Sequence, residues 1–168
     1  MQTFTYSFIF KIIFRFGNVF ITLLLSIYLV PVIFYIDQNK LLIFPLIISL
    51  IILYITNRNH FFYYKLLPYE IKANEEKLIC SNFLFSKKII AIYYKDIDML
   101  KGGVFSGKSS GVMKVSDSKS NLQIGFSPKI NNSEKLIALI LSKVSKELYS
   151  EVIKNITEKR HRKKTNPK

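Results

Sequence analysis

The chain has 168 residues with 25 Lys and Arg against 11 Asp and Glu, a formal charge of +14, yet 49% of it is apolar or aromatic. Its single cysteine, Cys80, excludes an internal disulfide and a thiolate metal cluster, and suits a reducing compartment. The two histidines, His60 and His161, lie far apart in unlike surroundings and form no ligand pair.

Residues 1–15 are aromatic-rich and read as an interfacial segment that leads into the membrane. Phe16 to Ile36 then gives 21 residues without Asp, Glu, Lys, Arg or His, and Leu41 to Asn57 gives 17 more. About 20 apolar residues in helix cross the hydrocarbon layer of a bilayer. Asp37-Gln38-Asn39-Lys40 permits only a tight reversal, so the expectation is a transmembrane helical hairpin over 16–65, with spans at 16–36 and 41–57. A cleaved signal peptide is disfavoured, because no small-residue cleavage site follows and a second span comes at once. Lys11, Arg15, Arg58 and Lys65 flank the outer ends, while the turn carries Lys40 and Asp37. That bias places both termini in the cytoplasm of a cell-membrane protein. His60 to Tyr64, with Tyr69, reads as an aromatic belt at the headgroups. Pro31 and Pro45 fall within the spans as tolerated kinks. Neither span holds a charged residue, which disfavours a small oligomeric channel, a reading kept as an alternative.

From Leu66 onward there are 20 Lys and Arg against 10 Asp and Glu, so this part carries +10 of the +14. A basic domain tethered at a bilayer meets anionic headgroups before it meets nucleic acid. The pattern changes after Pro68 to short alternating runs separated by turn signals. Six strands are expected, at Tyr69–Ala73, Lys77–Leu84, Lys88–Tyr94, Ile97–Lys101, Val112–Ser116 and Leu122–Phe126. They make a bent antiparallel sheet or small β-barrel. Leu136, Ile140, Val144, Leu148, Val152 and Ile156 recur at spacing four, which predicts one amphipathic helix of about 25 residues, capped by Asn131 or Ser133. The β domain with this helix spans 69–158, and 159–168 reads as a basic disordered tail.

The order of these parts, with Tyr69-Glu70-Ile71, Lys77-Leu78-Ile79, Ile89-Ile90 before Tyr94-Lys95-Asp96-Ile97, and Ile124-Gly125-Phe126-Ser127-Pro128 before the helix, resembles bacterial pleckstrin-homology-like (PH-like) membrane proteins. The resemblance implies a PH-like fold on a membrane anchor and brings no catalytic residues or cofactor with it. Fold alone does not transfer lipid binding.

Gly102-Gly103-Val104-Phe105-Ser106-Gly107-Lys108-Ser109 matches G-x-x-x-x-G-K-[ST], the phosphate-cradling loop of nucleotide hydrolases. That chemistry needs a helix directly after the loop, and Val112 to Ser116 reads as strand. The nucleotide-binding enzyme is therefore the alternative reading, and a flexible inter-strand loop the preferred one. Asp96 and Asp98 are two apart with no base or nucleophile nearby, and read as turn residues. Candidate contacts to anionic lipid are Lys108 and the run Lys159, Arg160, Arg162, Lys163 and Lys164. The expectation is a non-enzymatic, membrane-anchored module that meets anionic phospholipid or a membrane or cytoplasmic protein partner, with no nucleic acid and no cofactor.

Overall fold

The computed structural model of the protein describes residues 1–165 except Phe85 and Ser109, with side chains described as far as Lys159. The chain forms two compact units, one of Phe8–Tyr64 and one joining Met1–Ser7 to Lys65–Lys168.

In the first unit, α1 spans Phe8–Tyr35 and α2 spans Ile43–Leu66. At 1.5 Å per residue α1 is about 42 Å long. Both helices are long and apolar enough to cross a membrane, with a mean hydropathy of 2.1 in each best window. Their outward side chains, among them Phe20, Leu24, Ile48 and Ile51, are apolar and exposed. The reversal between them is built from polar atoms. The N–H groups of Gln38 and Asn39 both donate to the Tyr35 carbonyl at 3.1 Å, and Asn39 Oδ1 accepts from Leu41 N at 3.1 Å to start a short 3-10 turn, Lys40–Leu42. Pro31 lies inside α1. Pro45 sits in the first turn of α2, where its missing N–H has no intrahelical partner to lose, so the kink expected there is unnecessary.

Among the described residues, the second unit contains seven strands. β1 is Gln2–Thr5, β2 Pro68–Ala73, β3 Lys77–Phe83, β4 Ile90–Tyr93, β5 Met99–Lys101, β6 Met113–Asp117 and β7 Leu122–Phe126. They form a four-stranded antiparallel sheet in the order β1-β2-β3-β4 and a three-stranded one in the order β5-β6-β7. All six expected strands are present. The seventh corrects the reading of residues 1–15: Gln2–Thr5 is an edge strand, with Phe4 opposite Ile71, and α1 begins at Phe8.

Alternation sets the core. Ile71, Ala73, Leu78, Cys80 and Ile92 face inward from the first sheet, and Met113, Val115, Ile124 and Phe126 from the second. Each fully buried large apolar side chain contributes about 1.5–3 kcal/mol relative to exposure. The reversals are specified locally. Asn74 Oδ1 accepts from Glu76 N at 2.9 Å and Lys77 N at 2.7 Å, and Asp117 Oδ1 accepts from Ser120 N at 3.1 Å.

The single helix expected after β7 is two, α3 at Ser133–Lys143 and α4 at Lys146–Thr165. Spacing of four advances an apolar position about 40° per step, so the run from Leu136 to Ile156 winds about 200° around a straight helix. A straight helix would carry half of those residues away from the core. The break at Val144, extended at φ −79° and ψ 170°, resets the phase, and Ser145 Oγ accepts from Leu148 N at 3.3 Å to restart the helix. Leu136 and Ile140 of α3 and Leu148 and Val152 of α4 are thereby all buried. The residue before α3 is Asn132, in the left-handed region at φ 56° and without a side-chain cap, in place of Asn131 or Ser133. The backbone of α4 also continues through 159–165, in place of the disordered tail expected there.

Candidate functional site

The glycine loop between β5 and β6 shows what its P-loop-like spelling is for. Gly103–Ser106 is a 3-10 turn, and the next regular element is β6, starting at Met113. Three amides of the loop are already committed within it. Gly102 N donates to Ser106 Oγ at 2.8 Å, Gly107 N to the Val104 carbonyl at 2.9 Å, and Lys108 N to the Gly103 carbonyl at 3.0 Å. The turn drives Phe105 fully into the core, edge-on to Phe126 at 6.1 Å. Gly102 is required there: at φ 79°, a Cβ would lie 2.2 Å from the Val112 carbonyl oxygen. Among the described residues no helix follows this turn before β6, whereas the anion cradle of a nucleotide loop is capped by one. Ser109 lies outside the described residues.

Two of the sequence-predicted contacts, Lys108 and Lys159, meet at this turn. Lys108 is exposed. Lys159, the last residue of α4 whose side chain is described, donates from Nζ to the Ser106 carbonyl at 2.6 Å, and a Cβ on Gly107 would lie 3.0 Å from Lys159 Cβ. Lys159 is therefore a structural cation that holds the loop to the helix. The side chains of Arg160, Arg162, Lys163 and Lys164 lie outside the described residues.

The paired carboxylates separate. Asp98 Oδ2 accepts from Ser118 N at 3.0 Å and so ties two turns together, while Asp96 ends the 3-10 turn Tyr94–Asp96. Beside that turn lies a shallow cleft of ≈ 390 Å³ lined by Glu75, Glu76, Tyr93, Tyr94, Lys95 and Lys143. Lys143 pairs with Glu75, whose carboxyl is held below its usual range by that hydrogen bond and charge. Lys77 and Lys95 stand over the Tyr93 ring at 5.1 and 5.8 Å. Burial raises the Tyr94 phenol above its ordinary value, with Glu75 adding to the effect. Sequence reading missed this cleft because Lys143 is 68 positions from Glu75 and nothing in either neighbourhood announces the pairing.

The hairpin holds polar groups that the sequence reading passed over. Asn18 Nδ2 donates to Asn57 Oδ1 at 2.7 Å, and Asn57 Nδ2 donates to the Leu53 carbonyl at 2.9 Å and Thr22 Oγ1 at 3.3 Å. One end of this seam is closed by Tyr64, whose hydroxyl donates to the Arg15 carbonyl at 2.8 Å. These groups join α1 to α2. Compared with known proteins, the chain matches no family model, no curated relative and no solved structure.

Proposed function

We propose that this protein is a non-enzymatic, membrane-anchored module in which a two-helix hairpin displays a PH-like domain on the cytoplasmic side of a bacterial cell membrane, for contact with anionic lipid or a protein partner. A four-stranded sheet, a three-stranded sheet and a C-terminal helical segment broken into α3 and α4, in that chain order, support the PH-like reading. The observation that carries the proposal is the pairing of β1 with β2. Everything between those two strands is the apolar hairpin, so the domain grips both ends of its own anchor. Two spanning helices with paired flanking strands require both flanks on one side, and Lys11, Arg15, Arg58 and Lys65 favour the cytoplasmic one.

The enzyme alternative rests on the spelling of Gly102 to Ser109 alone. A nucleotide enzyme needs free amides and a helix after Lys108, and a channel needs polar groups that face a pore. Labelling of single cysteines in intact cells tests the proposal. A cysteine at Gln38 is expected to react with an impermeant reagent from outside, and one at Lys168 only after lysis; the reverse pattern would refute the topology.

A further inference from the structure

The register of the first sheet fixes which loops stand where the chain passes into the apolar helices. Pro68, the first residue of β2, faces Phe83, the last of β3. The β3–β4 loop therefore lies one strand spacing, about 4.8 Å, from the point where the chain returns from α2. The outgoing strand is on the same end: Thr5 faces Glu70, Tyr6 bridges to Ile130, and Asn131 N donates to the Thr5 carbonyl at 3.0 Å. Two connections, Leu84–Ile89 and Ser127–Asn132, thus flank the hairpin's exit and re-entry.

Both connections are basic. They contain Lys87, Lys88 and Lys129 with no Asp or Glu, and Lys65 of α2 immediately precedes the re-entry. Glu134, after the second connection, is followed directly by Lys135, and Glu70, which faces Thr5, pairs with Lys72 at 3.0 Å. The turn with Glu75 and Glu76 lies at the opposite end of the same sheet, where Lys95 and Lys143 line the cleft beside it and Lys143 pairs with Glu75. At the end of the basic loop, directly before β4, Ile89 is 68% exposed, an apolar side chain directly after two exposed lysines. The loop is shaped rather than slack: Ser86 N donates to the Phe83 carbonyl and Lys88 N to Ser86 Oγ, each at 3.2 Å.

We infer that Lys87, Lys88 and Ile89 form a contact that rests on the anionic headgroups of the leaflet in which the hairpin is anchored, with Ile89 entering the interface. This rests on the anchoring reading above and chooses lipid over a protein partner for this face. Cations next to an apolar tip are the composition that interfacial contacts use. The loop follows Phe83, which faces Pro68 two residues after the end of α2, and charges on that scale of separation are only partly screened at physiological salt. The contact differs from the sequence-predicted one at Lys108 and the C-terminal run.

The full chain, reconstituted in nanodiscs of phosphatidylcholine alone or mixed with phosphatidylglycerol, tests this. Ile89→Cys carries an environment-sensitive dye, Glu76→Cys is the comparison at the far end of the sheet, and the buried native Cys80 stays unlabelled. The expected result is a blue shift at position 89 in the anionic discs alone, reversed by high salt and abolished by Lys87→Gln with Lys88→Gln, and no shift at position 76. Release of the chain by alkaline carbonate would overturn the anchor and this inference together. A retained chain whose emission at position 89 is the same in both discs, or whose position 76 shifts equally, would overturn this inference alone.

Discussion

The amide of Ser127 donates to the hydroxyl of Tyr6 at 2.7 Å across 121 positions of sequence. Tyr6 is 3% exposed and stands edge-on to Tyr69 at 6.4 Å. The first residues thus join the four-stranded sheet through β1 and reach the end of β7 through Tyr6. Phe4→Ala is expected to destabilise the domain by about 3–5 kcal/mol, as for buried aromatic truncation generally. Tyr6→Phe leaves the Ser127 N–H without this acceptor, at a cost of about 1–3 kcal/mol. Removing residues 2–6 should leave the domain open to protease while the hairpin survives. Wild-type melting and protease resistance in that deletion would show that β1 is dispensable.

Lys159 is expected to behave unlike its basic neighbours. Its ammonium donates to the Ser106 carbonyl in a part-buried position, so Lys159→Ala should lower stability by about 1.5–3 kcal/mol, the range for hydrogen bonds to charged groups. Lys154 pairs with Glu158 at 4.0 Å on the exposed surface, and Lys154→Ala should cost no more than about 0.5 kcal/mol. Thermal melting of the two variants decides the matter; equal shifts would mean that Lys159 is one more solvated cation.

The glycine loop gives an opposed pair of expectations. Gly102→Ala forces a Cβ against the Val112 carbonyl at φ 79° and should cost about 1–3 kcal/mol. Lys108→Ala, at an exposed position, should fall within about 0.5 kcal/mol of the wild type. Calorimetric titration with ATP or GTP is expected to show no binding for either variant or for the parent. Binding to the parent that Lys108→Ala removes would restore the nucleotide reading.

What the sequence made legible was everything written by local periodicity. Leu78 and Cys80 alternate with Ile79 and Ser81, and Asn74 and Asp117 mark turns that their own carboxamide or carboxylate oxygens close. β1 was hidden because four residues directly before a helix carry little pattern, and the strand that pairs them begins at Pro68, beyond the hairpin. The division of α3 from α4 was hidden because Val144 continues the apolar stripe, and only the accumulated angular drift betrays it. Lys159 opens a run of cations in sequence, yet its role is fixed by a turn 53 positions earlier. Asn18 and Asn57 read in sequence as uncharged members of apolar runs; their meaning lies in each other.

Alkaline pH should unfold the domain in a defined direction. Burial pushes the Cys80 thiol up from 9.0 to about 12 and also raises the phenols of Tyr6 and Tyr94 above 10.0. A group with a raised folded pKa keeps its proton in the fold after the unfolded chain has lost it, so stability falls as pH rises. Below pH 9.0, the ordinary thiol value, both states stay protonated and Cys80 contributes no slope. Above it, the loss is about 1.4 kcal/mol per pH unit for each such group, and it steepens near pH 10.0 as the tyrosines join. Cys80→Ala should remove the earlier part of the slope while keeping the later part. Melting temperatures that stay flat from neutral pH to above the tyrosine range would contradict the burial of all three.

The seam between Asn18 and Asn57 offers the sharpest test of the hairpin. Each carboxamide meets the other helix: Asn18 Nδ2 donates to Asn57 Oδ1 at 2.7 Å, and Asn57 Nδ2 reaches Thr22 Oγ1 at 3.3 Å. In hydrocarbon an amide without a partner is costly, but helices separated in the bilayer recover part of that cost by finding other partners. Interhelical hydrogen bonds of this kind accordingly contribute about 0.6–2 kcal/mol. A double-mutant cycle of Asn18→Ala and Asn57→Ala, read by unfolding of the reconstituted chain, should give a coupling energy in that range. Thr22→Val should couple more weakly to Asn57→Ala, since its contact is longer and Asn57 Nδ2 also donates to the Leu53 carbonyl at 2.9 Å. Additive effects of the two asparagine substitutions would mean that the helices are held by van der Waals packing alone, with the carboxamides satisfied independently.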